Sequence, residues 1–136
     1  MCGNNSLIFM INNASSDVLE NGIIPLSVIA RRRGRLIQDG SNSIVLNASG
    51  YYKVNATITF TAPVAGDVSI ELRSNGVPVQ GISGSETITT ADTEIRTISL
   101  SGIVRTFYNQ VATLTLVNTG VAIETSNVAI DVEYLD

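Results

Sequence analysis

The sequence predicts an all-β fold, on three observations. From Gly50 to Asp136 apolar residues alternate with Thr, Ser, Asn and charge in strand-length bursts, turn residues break those bursts, and no stretch carries a helical period. About eight to ten strands, one roughly every ten residues, form a sandwich or a barrel.

Taken in order, residues 1–21 are rich in Asn and Ser around the burst Leu7-Ile8-Phe9-Met10-Ile11, which reads as a strand or a docking arm between loops. Ile23 to Ala30 is a second apolar burst, and Pro25 assigns it to a sheet edge, where a missing N–H is tolerated. Arg31-Arg32-Arg33-Gly34-Arg35 follows, then Leu36-Ile37 and an Asp39-Gly40 turn. Ile44, Leu46 and Ala48 share a face. After Ser49-Gly50, Tyr52, Val54, Ala56, Ile58 and Phe60 share another, which makes this the best-defined strand. Ala62 to Gly66 is turn chemistry. Val68, Ile70 and Leu72 alternate next, and Asn75-Gly76 closes a tight hairpin into Val77 and Val79, because both residues tolerate positive φ. Gly81 to Asp92 is read as a weak edge strand or a loop. Ile98, Leu100, Gly102 and Val104 resume the pattern, Asn109-Gln110 turns the chain, Ala112, Leu114 and Leu116 follow, and Asn118-Thr119-Gly120 turns it again. Val128, Ile130, Val132 and Tyr134 form the last strand.

The chain has 136 residues, 44% hydrophobic and 15% charged, enough for one domain with a real core. So little charge on a small surface predicts self-association, since large apolar patches are rare on soluble monomers. The net charge of −4 argues against nucleic acid or an anionic membrane as a general partner. The single Cys2 is expected to be a solvent-facing thiol, since it has no internal disulfide partner. Leu7 to Ile11 is too short for a signal-peptide core, and no apolar run approaches the length of a membrane span. Asn-x-Ser/Thr triplets at Asn4, Asn13, Asn47 and Asn55 are read as chance products of an Asn- and Thr-rich chain.

Gly50-Tyr51-Tyr52-Lys53-Val54 entering a long strand, Phe60-Thr61-Ala62-Pro63, Leu72-Arg73-Ser74-Asn75-Gly76-Val77-Pro78-Val79 and an alternating last strand together resemble the tumour-necrosis-factor and complement-head jelly roll. The resemblance covers 43–136 and is greatest to bacterial and phage forms, including the C-terminal domain of collagen-like exosporium proteins. It implies one domain over 1–136, a two-sheet antiparallel jelly-roll sandwich of ten strands, and a homotrimer packed around a threefold axis through one apolar sheet face. It also implies work by binding, as a receptor ligand, adhesin, coat or fibre tip. The collagen stalk of relatives is missing, and the Arg-rich N-terminal third has no counterpart among them.

Arg31, Arg32, Arg33 and Arg35 are the sharpest local anomaly. Continued as a strand, the run would aim Arg31, Arg33 and Arg35 to one side, and three copies would gather guanidinium groups suited to phosphate, sulfate or carboxylate. A solvated edge strand whose charges block aggregation is the alternative. Asp92 with Glu94, or Asp131 with Glu133, supply too few oxygens to hold calcium alone, so no metal is expected. Catalysis is not expected either: histidine is absent, no phosphate loop precedes a helix, and no carboxylate pair stands out. No cofactor is implied. Tyr51, Phe107 and Tyr108 fall out of phase with the buried face and are assigned to the contact between subunits.

These observations predict a noncatalytic trimeric structural or adhesive protein of a phage virion or bacterial surface, with a receptor or glycan as partner. Its own starting Met, and the lack of an export signal and stalk, favour phage. The alternative is a cytoplasmic trimer that sequesters a small anion such as a nucleotide through Arg31 to Arg35, and a secreted carbohydrate-binding module is the third reading.

Overall fold

In the computed structural model, which describes residues 6–40 and 42–135, the period-two pattern becomes eleven strands. They are β1 (Leu7–Asn12), β2 (Ser16–Val18), β3 (Val28–Arg33), β4 (Ile37–Gly40), β5 (Ser43–Leu46), β6 (Gly50–Thr61), β7 (Gly66–Ser74), β8 (Val77–Ile88), β9 (Arg96–Thr106), β10 (Ala112–Asn118) and β11 (Ile123–Leu135). One antiparallel sheet has the order β3-β1-β11-β6-β9, with β2 added on β11; the other has the order β4-β5-β10-β7-β8. The chain passes repeatedly from one sheet to the other, as a jelly roll does, and the core lies between them.

The alternation in β6 predicts its burial. Tyr52, Val54, Ala56, Ile58 and Phe60 are all buried, while their neighbours face outward. Gly50 opens this strand at φ 138°, and a Cβ there would stand 2.7 Å from the Tyr134 ring, so both backbone and space demand glycine. Tyr134 in turn meets Tyr52 edge-on, with centroids 5.1 Å apart. Burial pushes the Tyr52 phenol above its ordinary pKa, and as a neutral donor it gives its hydroxyl hydrogen to the Ala48 carbonyl at 2.7 Å. Asn55, as its place in a strand requires, sits within β6 opposite Ser101 and Asp131.

The N-terminal residues are woven into both sheets. β1 lies between β3 and β11 with Ile8 and Met10 in the core. The segment around Pro25 then crosses to the second sheet, where β5 is too short to cover the end of β10. Ile24 N–H donates to Leu116 O at 2.8 Å, Asn118 N–H to Gly22 O at 3.0 Å, and Ile24 and Leu26 are buried.

Two elements are decided by the tertiary structure, the first in favour of the edge strand and the second against a continuous Arg row. The Ser-, Thr- and Gly-rich stretch after Gly81 continues the hairpin as one twelve-residue edge strand, β8, because Ile82 and Ile88 still point inward and the small residues between them fit a crowded flank. A Cβ on Gly84 would come within 2.7 Å of Ile98, and one on Gly102 within 2.5 Å of Ile82, so glycines let β8 and β9 close that side. The Arg row is the second. Gly34, at φ 86° and pressed against Ser6, ends β3 at Arg33, and Arg35 falls in the bend before β4. Cys2 and Asn4 lie outside the described residues.

Candidate functional site

The four arginines of the Arg-rich run do not form one row, since Arg35 lies in the bend beyond the end of β3. Arg31 and Arg33 lie opposite Phe9 and Leu7, on the outward side of the first sheet. Arg32 lies opposite buried Ile8 and, being on an edge strand, swings round the flank to Asp39 of β4 at 3.8 Å. That contact bridges the two sheets, though an exposed pair of this length is worth at most about 1 kcal/mol. Arg31 turns its Nη1 back to its own Ala30 carbonyl at 2.8 Å. A register shift between Phe9 and Met10 gives β3 an extra residue, Ala30, and with it the local bend of a bulge.

Beside β3 lies an open cavity of about 480 Å³ between the sheet edges. Buried Met10 and Leu26 form its floor, Val28 and Ile29 one wall, and Asp39 and Asn42 its polar side. None of the four arginines lines it, so what faces an entering molecule is a carboxylate.

At the end of the sandwich formed by the β5–β6, β7–β8 and β9–β10 connections, three side chains meet on the outward face. Tyr51 pairs in register with Arg105, and Phe107 follows two residues on. The Arg105 guanidinium lies 4.5 Å from the Phe107 centroid and 5.4 Å from that of Tyr51, a cation held between two rings. Tyr51, Phe107 and Ile103 are each about half exposed, and Tyr108 is 81% exposed. The structure therefore joins Tyr51 to Phe107 and sets Tyr108 beside them in the adjoining turn. Arg105 escaped the sequence reading, because the pairing of β6 with β9 that places it there leaves no local trace.

The outward face of the first sheet is not uniformly apolar. Along β6 it carries Lys53, Asn55, Thr57 and Thr59, with Glu133 opposite Lys53 and Asp131 opposite Asn55. Apolar surface is concentrated at the aromatic end and along β1. Along β6 and β11 the outward face of the first sheet is thus mixed.

Glu94 does structural work at the opposite end. Its carboxylate accepts from the Thr89 hydroxyl, from the N–H of Thr90 at 2.6 Å and of Thr89 at 3.0 Å, and pairs with Arg96 at 2.7 Å. The Thr89 hydroxyl bond chiefly, then the two N–H groups and Arg96, hold its pKa below the ordinary carboxylate value against desolvation. The stabilisation is therefore present above about pH 4.3, the unfolded value, and is lost as pH falls through the lower folded value. The protection factor of the Thr90 N–H, its exchange rate relative to the intrinsic rate at each pH, is expected to fall on acidification in the wild type, and to be low and nearly independent of this titration in Glu94→Gln. Equal protection in the two proteins at neutral pH would refute the role. Among the described residues no three His, Cys, Asp or Glu side chains group to hold a metal ion. No helix among them is long and apolar enough to cross a membrane.

No protein-family model matches this chain, and no curated protein does. Solved structures do. The Eiger TNF of S. frugiperda aligns over 98% of this chain and 94% of its own with a TM-score of 0.79 at 10% identity. The globular domain of zebrafish complement 1qA aligns over 96% of both chains with a TM-score of 0.66 at 11% identity. The PRD1 vertex protein P5 aligns over 99% of this chain and all of its own with a TM-score of 0.62 at 12% identity. None of these names is that of an enzyme. At such identities the likeness is one of fold, and on that footing the chain is a jelly roll of the type shared by TNF and complement-1q heads and by a phage vertex protein.

Proposed function

We propose that this chain is a noncatalytic structural or adhesive protein that assembles as a homotrimer on a phage virion or bacterial surface and binds a receptor or glycan there. The observation that carries the reading is the solvent-facing cluster of Tyr51, Arg105 and Phe107, with Tyr108 beside it, on a fold that aligns end to end with a phage vertex protein and with TNF heads. Aromatic rings around an arginine are the side chains that contribute most at contacts between proteins. Held in place by strands, they lose little entropy on burial.

The anion-capture alternative lacks comparable support. Arg31 turns back to its own Ala30 carbonyl, Arg32 reaches Asp39, Arg35 lies beyond the end of β3, and the neighbouring cavity presents Asp39.

Light scattering coupled to size exclusion is expected to give a trimer for the wild type. The triple variant Tyr51→Ser, Phe107→Asp, Tyr108→Ser should run as a monomer or aggregate. Its circular dichroism should remain that of a β protein, since all three side chains lie outside the core. A triple variant that still sediments as a trimer overturns the assignment. Glycan-array binding by the wild-type chain, and tail, capsid or lysis genes beside its gene, are the expected results for the surface role.

A further inference from the structure

Charge is segregated along the strand axis of this molecule, although its net charge is small. The end bearing the β6–β7, β8–β9 and β10–β11 connections carries Asp17, Glu20, Asp67, Asp92, Glu94 and Glu124. Among the described residues its cation is Arg96, already held by Glu94. The opposite end, around Asn75, carries Arg33, Arg35 and Arg105 at or beside its strand ends and Lys53 one row inward. Among the described residues the acids nearest them are Glu133, opposite Lys53, and Glu71, which holds Arg73 at 2.6 Å; Arg33 also has an interaction of its own.

Both ends also expose aliphatic side chains that the core does not use. Leu19 and Ile95 are about 70% exposed, and Val64 50%, at the acidic end; Val77 is 64% and Val111 51% exposed at the basic end. Val77 and Val111 are held in place. Asn75 lies in the turn before Val77, its Nδ2 donates to Val111 O at 3.1 Å and its Oδ1 accepts from Thr113 N–H at 2.9 Å. Among the described residues the two ends are thus opposite in charge and alike in apolar exposure.

We infer that the acidic end of one copy binds the basic end of the next, so that copies stack head to tail along the strand axis. This contact goes beyond the lateral trimer proposed above and, Arg105 apart, uses other residues. A polyanion on the basic end would leave the apolar side chains of the acidic end uncovered and would meet a protein of net charge −4. A second copy covers both ends at once. Because the two surfaces differ, the contact is heterologous and need not close, which makes a stack rather than a pair.

Sedimentation velocity of the full chain tests this at two salt concentrations. At about 10 mM salt the screening length is about 30 Å, and at about 1 M it is about 3 Å. The weight-average mass at low salt is expected to rise with protein concentration by at least about twofold over the high-salt value, as two or more units join end to end. Arg33→Glu with Arg35→Glu, and separately Glu20→Lys with Glu124→Lys, should each abolish the rise. Mixing the two double variants should restore it, since each then offers the other a matching end. The high-salt mass reports the lateral oligomer, so failure of the trimer is read independently of failure of the stack. A mass that stays constant with concentration at low salt overturns the inference. So does retention of wild type on dextran sulfate beads without self-association, which would assign the basic end to a polyanion. If both double variants keep a β spectrum but the mixture fails to associate, end-to-end pairing is likewise refuted.

Discussion

Gly120→Ala is expected to destabilise the protein by about 3 kcal/mol, near the upper end of what overpacking costs. Gly120 sits in the β10–β11 turn, pressed onto the backbone of β7. A Cβ there would run into the Asp67 carbonyl oxygen and stand 2.7 Å from Ser69 N and 2.8 Å from Val68 Cα. Those atoms cannot give way. Asp67, Val68 and Ser69 pair with β8 on one side, and Thr119 and Val121 donate to Ser69 O and Asp67 O at 2.7 and 3.0 Å on the other. Urea unfolding followed by circular dichroism should show a lowered midpoint with unchanged slope. Gly76→Ala is the control. It has open space around its Cβ but a φ of 82°, so it should cost only about 1 kcal/mol from left-handed strain. An equal loss in the two variants would show that the close approach at Gly120 is not the limiting contact.

Asn118→Leu, two residues earlier, is expected to cost about 3 kcal/mol for a different reason: buried partners left without hydrogen bonds. Asn118 is fully buried. Its Nδ2 donates to Val121 O at 2.9 Å and reaches Val18 O at 3.4 Å, and its Oδ1 accepts from Gly120 N–H at 3.0 Å. One amide therefore ties the β10–β11 turn to the end of β2. Leucine fills a similar volume but offers none of these groups. Asn118→Asp keeps the acceptor for Gly120 N–H and loses both donations, so it should unfold below the wild type as well. A leucine variant within about 0.5 kcal/mol of wild type, the scale of an inconsequential surface change, would exclude the clamp. Asn118 and Gly120 share one turn, so the double variant should fall short of the sum of the two losses.

Much of the architecture was legible because side-chain alternation is local. Tyr52 through Phe60 needed no partner strand to be recognised as one face of β6, and Asn75-Gly76 declared its hairpin through the positive φ that each residue adopts, 53° and 82°. The same alternation sets Tyr51 out of phase with the buried face of β6, and the ring is half exposed. β8 was less legible, since Gly81, Ser83, Gly84 and Ser85 carry little strand propensity. Ser83, Gly84 and Ser85 are held extended by pairing with β7 and by the narrow gap to β9, while Gly81 takes a left-handed φ of 86° where that pairing breaks. Arg35 was misplaced because a period-two reading runs straight through Gly34, whereas its left-handed φ and contact with Ser6 stop the strand.

What the polypeptide determines by itself is which residues lie inside and which outside, along with the turn sites where glycine or asparagine must stand, because these follow from backbone geometry over a few residues. Only the tertiary structure decides what stands beside what. It sets Arg105 between Tyr51 and Phe107, sends Arg32 round the flank to Asp39, presses Gly120 onto β7, and gathers acids at one end and arginines at the other. Each of these depends on which strands pair and in what register, and register arises from the packing of distant segments around a shared core.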